Sequence, residues 1–535
     1  MNLKRYILSF LLLSTINICA QFNNNNIDFL GHLSYDIELN DIWGFVGSDS
    51  NEYALVGTRE GFSIVDVNDS ENLNEIWNIA GNYTIWRDVK EYQNYAYVVN
   101  DNGNQGILIV DMNNIPDTTM MRYKYWQDTS YTAHNVFIEN GFMYLFGTPY
   151  ANGGALIYSL EDPWNPSLIG EVDFAYIHDG TVRNDTLWAA NINDGYFSII
   201  DVSDKSNPIL LAEASTPYNF THNCWPNDDG KYVFTTDERP GAPVAAYNIS
   251  NYNRINLVDE YRTSQSNEVI PHNTIYKDGF LLTSYYRDGL TITDVHHPEA
   301  MVEVGYFDTS PEFEGDGYNG AWGIYPFLPS GNILISDIET GLYVLKFKEY
   351  RASHIDIQVF NVIDSNTIHL VDVYEDDQLL LETDISGHVL EGFAFTDTFD
   401  VIIEKDGYQL DTIRFQLANG KIDSHLVYLV PDSLPACYPC VEDNKDSIID
   451  SIPTMINSIA YQISIFPNPA TDHIYIKSDQ VINSIEVLDL TGRLVQSSVI
   501  DLKETSISTN HLEKGIYILN VFCGQTRMTQ KIILA

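Results

Sequence analysis

Positive charge is what this 535-residue chain has least of: 28 Lys and Arg stand against 74 Asp and Glu, a formal net charge of −46. A surface of that sign repels phosphate backbones, which argues against nucleic acid as a partner. Long apolar runs are also missing. The one near the start, Tyr6 to Leu13, follows Lys4 and Arg5, precedes the small residue Ala20, and is too short to span a bilayer. It reads as a secretory signal peptide, residues 1–20, with cleavage after Ala20. Cysteine is scarce, and beyond the signal only Cys224, Cys437, Cys440 and Cys523 remain. These are too few and too scattered for a disulfide framework. Cys437-Tyr-Pro-Cys440 has the CxxC spacing but no second pair and no following helix, so a local disulfide in an oxidising compartment is the simpler expectation. There is no GxSxG, no HExxH and no phosphate-cradling glycine loop. Asn227-Asp-Asp-Gly230 has a fragment of a calcium loop but lacks the rest of that pattern, and reads as a hairpin turn.

Aromatic residues are plentiful. They make up 13% of the chain, with 35 Tyr, while charged residues are only 19%. That balance belongs to a β-rich exported protein and not to a disordered one. A repeat is visible within it. A glycine opens an apolar strand at Gly61, Gly106, Gly154, Gly195, Gly241, Gly289 and Gly341, at intervals of 45, 48, 41, 46, 48 and 52 residues. This is the period of a four-stranded propeller blade, and seven copies fit a seven-bladed β-propeller over residues 21–350. The seventh copy stops near Tyr350 without its last strand, and an orphan strand stands at 27–36. The N-terminal strand is therefore expected to complete the last blade, removing an exposed sheet edge.

The motifs SIVDV (63–67), LIVDM (108–112) and SIIDV (198–202), with the His-Asn and Trp-Gly strand starts, resemble the LVIVD-repeat proteins of the choice-of-anchor B family, exported bacterial propellers. The resemblance implies a fold and no defined activity. Residues 352–432 alternate apolar and polar residues at strand spacing, and VIIEKDGY resembles the small β-sandwiches related to carboxypeptidase regulatory domains. Residues 433–460 form a polar, acidic linker, in which Asp432-Ser433-Leu434, Asp446-Ser447-Ile448 and Asp450-Ser451-Ile452 resemble the O-glycosylation acceptor of Bacteroidota.

Residues 461–535 resemble the type A C-terminal sorting domain of the type IX secretion system, expected as an Ig-like β-sandwich. The carriers are Pro467, Asn468, Pro469, Gly492, Gly515, Tyr517 and Lys531, in the family's order; the tail departs by ending in Leu-Ala. The resemblance implies a Gram-negative bacterium of the Bacteroidota, the type IX secretion machinery as a partner, and a secreted or surface-bound protein. A monomer is expected.

Histidine recurs at one structural position. Aligned on their first strands, the blades begin with Trp43, Arg87, His134, His178, His222, His272 and Trp322, followed by Gly44, Asp88, Asn135, Asp179, Asn223, Asn273 and Gly323. In a propeller the first strand is innermost, so these residues belong at one mouth of the channel. Loops carrying Asp101, Asp237-Glu238 and Asp337 open on the same face. Three readings of the imidazoles stand side by side. They cap the inner strands against the next blade. Or His134, His178, His222 and His272 converge on a divalent metal, the candidate cofactor. Or the whole face, with Asp237 and Asp337, binds an extracellular glycan or peptide, since indoles stack on sugars while Asn, Asp and His bind hydroxyls. Non-catalytic recognition is the leading expectation, and a metal-dependent hydrolase or lyase the alternative.

Overall fold

The computed structural model describes residues 24–128, 132–263, 268–375, 378–434, 463–466, 473–488, 494–510, 512, 514–523 and 526–534. The signal peptide, most of the acidic linker with Cys437 and Cys440, and the sorting-signal residues Pro467, Asn468, Pro469 and Gly492 lie outside these.

Among the described residues, seven antiparallel sheets, six of four strands and one of five, follow one another from Leu39 to Phe347, the last of them taking its fourth strand from before Leu39. The first uses Leu39–Val46, Glu52–Thr58, Gly61–Asp66 and Asn74–Ala80. Its middle strands are buried along nearly their whole length, while Asn74–Ala80 is largely exposed. A strand covered on both faces has no reason to alternate, which is why the middle strands read as unbroken apolar runs. The innermost strand of each of the first five sheets contacts the next sheet around, Phe280–Ser284 of the sixth contacts Ala321–Tyr325 of the seventh, and the latter contacts Leu39–Val46 of the first. The sheets thus form the blades of a closed propeller.

Closure is made by the N-terminal strand. Ile27–Leu33 pairs antiparallel with Gly341–Phe347, from Ile27 opposite Phe347 to Leu33 opposite Leu342, as the fourth strand of the seventh blade. Just before it, Asn24–Asn25 adds a fifth strand to the outer edge of the sixth blade. Outer strands of several blades carry a register shift at the same place, for example opposite Ile64/Val65, Ile157/Tyr158 and Ile199/Ile200. In the third and seventh blades the strand there presents a glycine to the neighbouring blade. A Cβ at Gly170 would lie 1.7 Å from the Lys205 carbonyl oxygen, and one at Gly31 1.6 Å from that of Ser70.

After the propeller, two sheets face one core. Ser353–Asn361 pairs with His388–Phe393 and, in parallel, with Ile422–Leu429. Asp372–Glu375, Gln378–Glu382, Thr398–Glu404 and Asp411–Gln416 form the second sheet. Ile355, Val373, Val401 and Phe415 are fully buried between them. The Ala352 amide donates to Asp294 Oδ2 (2.9 Å), and the His354 ring bonds the Ala300 carbonyl, which fasten this module to the sixth blade.

The last part of the chain is a separate unit. The long strand His473–Leu488 pairs with Ile463–Phe466, Leu494–Ser508 and Gly515–Cys523, and Thr526–Leu534 pairs with the last of these. Ile474, Val487, Leu519 and Ile532 are among its buried core. Gly515 and Tyr517 lie on Gly515–Cys523, and Lys531 pairs across to Ile518.

Candidate functional site

The first strands deliver two layers of polar residues to one mouth of the channel. The upper layer is a ladder of rings. Successive centroids lie 4.1 Å apart from His134 to His178, 4.3 Å from His178 to His222 and 4.4 Å from His222 to His272. Indoles end the ladder on both sides, with Trp86 at 5.7 Å from His134 and Trp322 at 4.7 Å from His272.

The local cause of this ladder is the strand start. In the fifth blade Thr221 pairs with Asp237 but Asn223 with Thr236, so His222 falls in a bulge. In the seventh, Ala321 pairs with Asp337 and Gly323 with Ser336, placing Trp322 in the same bulge. A bulge re-aims one side chain without ending the strand.

The same register corrects the sequence alignment of the first blade. There Leu39 pairs with Thr58 and Ile42 with Val56, so the shift falls at Asn40-Asp41 and not at Trp43-Gly44. Trp43 lies deeper, in the layer of Lys90, Phe137, Thr181, Trp225 and Ile275. The aromatic-glycine pair looked like Trp322-Gly323, but strand register follows the bulge and not the dipeptide. Gly323 has its own reason: a Cβ there would come within 2.8 Å of Asp41 Oδ1, so the glycine leaves room for the first blade's carboxylate.

Three further expectations are corrected. Arg87 holds the aligned position, but its side chain is 1% exposed and turned between blades, where Nε donates to the Thr58 carbonyl (2.9 Å) and Nη2 to that of Asn82 (2.5 Å). Burial lowers its pKa to about 10. Trp86, one residue earlier, supplies the ring at the mouth. Asp237 is spent on its own loop, accepting from the Thr216 hydroxyl and the Tyr218 and Phe220 amides. Asp337 likewise accepts from Thr309, Ser310 and the Glu339 and Thr340 amides. Both carboxylates tie inter-blade loops down instead of facing a ligand.

Below the ladder, Asp41, Asp88, Asn135, Asp179, Asn223 and Asn273 line a cavity of about 30 Å³. That volume admits water or a bare ion but no organic molecule. Asp179 accepts from the Asn223 amide at 2.7 Å and from the Gly180 N–H. Lys90 pairs with Asp41 at 3.1 Å, both side chains at most 10% exposed. Burial, then the Asp41 charge, pushes the Asp88 carboxyl well up, and burial raises Asp179. The layer is a polar plug, and the ladder forms the floor of anything that binds from outside.

Three of the imidazoles in the floor are held neutral. Burial, then neighbouring imidazoles, pushes His178 and His222 well below the ordinary histidine value, and burial takes His272 to about 3. The His272 Nδ1 lies 2.6 Å from the Trp322 carbonyl oxygen. Since a carbonyl only accepts, Nδ1 carries the proton and Nε2 keeps its lone pair. This is the strand-capping bond expected of the repeat. In His178 and His222 the corresponding contact, to the His222 and His272 backbone, is looser, and Nδ1 of each has no close hydrogen-bond partner. Two carboxylates approach the ladder. Asp101 Oδ2 is 3.4 Å from His134 Nδ1, and Glu238 Oε2 is 3.9 Å from His222 Nε2.

The surroundings of the mouth are aromatic. Tyr83, Trp86, Tyr150, Phe174, Tyr218 and Tyr318 are each 39–54% exposed. All sit in connections that run from a fourth strand to the next first strand, or from a second to a third. In antiparallel blades both kinds of connection fall at the same end. A cleft of about 530 Å³ opens there too, bordered by Tyr218, Pro240, Arg262, Glu268 and Asp316. Sequence reasoning missed Asp41 and Trp86 because neither carries the His-Asn pair. It missed the aromatic belt because loops have no period.

Ring, bulges and layered mouth together define an all-β repeat protein of the β-propeller class. Two family models match the chain: the LVIVD repeat, over residues 86–122 and 191–216, and the secretion system C-terminal sorting domain, over residues 464–535. The protein carries LVIVD repeats and ends in a type IX sorting domain, which directs it to the cell surface or the extracellular space. No curated protein matches it.

Proposed function

We propose that the protein is a recognition module of a Bacteroidota cell surface, made with an N-terminal signal peptide, which holds an extracellular glycan or peptide at the histidine mouth of its propeller. The observation that carries this reading is the belt of six exposed aromatic side chains around a floor of stacked imidazoles. Exposed aromatics gathered on one face mark a binding surface, and their rings stack on sugar faces or apolar side chains. The neighbouring cleft has the volume of a small-molecule site and offers Arg262, Glu268 and Asp316 to hydroxyls or amides. The polar plug closes the channel beneath, so the ligand lies across the mouth and does not thread it.

The test is an array of glycans and peptides probed with the full chain. Trp86→Ala and Tyr318→Ala are expected to weaken a captured ligand about tenfold each, on the order of 1.4 kcal/mol. Tyr252→Ala, exposed in a turn at the opposite end of the fifth blade, is expected to leave binding intact. Capture that ignores the rim substitutions would refute the reading.

A second reading, a metal-dependent hydrolase or lyase on the same face, is favoured by one cluster: His222, Glu238 and His272, whose donor atoms all lie within 4.8 Å of one another.

A further inference from the structure

We propose that His222, Glu238 and His272 form a transition-metal site of the zinc class, with two imidazoles and one carboxylate as protein ligands and an open position facing the mouth. The set differs from the four-imidazole ring expected from the repeat, because it exchanges His134 and His178 for a loop carboxylate.

Two of the three donors are prepared from behind. The Nδ1–H of His272 donates to the Trp322 carbonyl, which orients the ring and leaves Nε2 as a ligand. Glu238 accepts the Tyr286 hydroxyl on Oε1 at 2.7 Å, which leaves Oε2 toward His222 Nε2, 3.9 Å away. Tyr286 also packs its ring 4.9 Å from that of His272, so one side chain supports two of the three ligands. His222 is 5% exposed, and its Nδ1 has no close hydrogen-bond partner.

The distances allow the site. Metal–donor bonds of about 2.0–2.2 Å in a tetrahedron set donor atoms about 3.3 Å apart. The cluster is within 4.8 Å throughout, so the donors close by up to about 1.5 Å on loading. Glu238 can supply that movement, since it begins the loop that leaves strand Tyr232–Asp237, while both histidines stand at the starts of inner strands. Imidazole and carboxylate donors suit Zn²⁺, Mn²⁺ or Fe²⁺ in preference to Ca²⁺. Three protein ligands leave a coordination position for a hydroxyl or carboxylate of whatever the mouth holds. In function the site rests on the recognition reading above; in metal content it stands alone.

The full chain, purified without a histidine tag and stripped with chelator, is titrated with Zn²⁺ and with Co²⁺. Metal content is read by mass spectrometry, and Co²⁺ geometry by its visible d–d absorption. The expected result is one metal per chain with a four- or five-coordinate Co²⁺ spectrum. Glu238→Gln and His222→Asn are each expected to weaken binding at least tenfold, while Tyr252→Ala, at the opposite end of the fifth blade, retains it; tryptophan fluorescence checks that every variant is folded. No stoichiometric binding, binding unchanged in Glu238→Gln, or binding lost in Tyr252→Ala would overturn the assignment. Ligand capture on the arrays by metal-free protein would survive that failure, so the two readings fail separately.

Discussion

The strand that closes the ring can be tested at a single glycine. Gly31 lies in Ile27–Leu33, and a Cβ there would sit 1.6 Å from the Ser70 carbonyl oxygen and 2.8 Å from its carbon, in the first blade. A carbon–oxygen contact needs about 3.3 Å. Gly31→Ala therefore asks the closing strand and the turn at Ser70 to separate by about 1.7 Å. Both partners are backbone, so no side chain can swing aside. Overpacking costs about 1–3 kcal/mol, and a rigid clash belongs at the upper end, about 3 kcal/mol. With a urea slope of about 3 kcal/mol per M, the unfolding midpoint should fall by about 1 M. All eight tryptophans lie between Trp43 and Trp322, so indole fluorescence follows the propeller and not the later modules. Asp28→Ala in the same strand is the control. Its pairing with Lys348 at 2.7 Å is half exposed, and such a pair contributes about 0–1 kcal/mol. Gly170→Ala should repeat the effect in the third blade, where the Cβ would meet the Lys205 carbonyl at 1.7 Å. A Gly31→Ala midpoint matching that of Asp28→Ala would show that the strand does not dock as described.

Two further expectations concern the polar plug. Lys90→Met leaves the Asp41 carboxylate buried without its partner, and should cost about 3–5 kcal/mol in the same assay, with much of it restored in the Lys90→Met/Asp41→Asn double variant; a loss under about 1 kcal/mol would refute the pairing. Asp88→Asn should stabilise in a pH-dependent way. A folded pKa raised above the unfolded one means that the native carboxyl holds its proton longer, so its favourable contribution exists at low pH and is lost as pH rises toward the folded value. The wild type should lose ground to Asp88→Asn from about pH 4 upward, by at most about 1.4 kcal/mol per pH unit, before levelling off. Parallel pH profiles of the two proteins would show that Asp88 ionises freely.

Much of the architecture was legible because a blade is a local object. The interval between Gly61, Gly106 and their successors is set by four strands and three turns, and it survives in sequence without knowledge of neighbours. The orphan strand at Ile27 was legible for the same reason, since a missing fourth strand in one place and a spare one in another point to each other. The candidate site was legible only in part. His134, His178, His222 and His272 do form one layer, with Asn135, Asp179, Asn223 and Asn273 beneath. Trp43, Arg87, Asp237 and Asp337 were misplaced, because a bulge shifts register and because a buried polar side chain takes the nearest donor or acceptor, whatever its neighbours in sequence.

By itself the sequence determined the all-β class, the repeat, the closing strand and the export signal at the C-terminus, since each rests on patterns that a few consecutive residues carry. Only the tertiary structure decided which polar groups face the mouth and which are consumed inside it. Glu238 meets His222 and His272 because the fifth blade and its neighbour bring a loop and two strand starts together at the mouth. No local pattern records that meeting, for the free energy that selects it comes from packing between blades and the satisfaction of buried polar atoms, both of which exist only once the ring has closed.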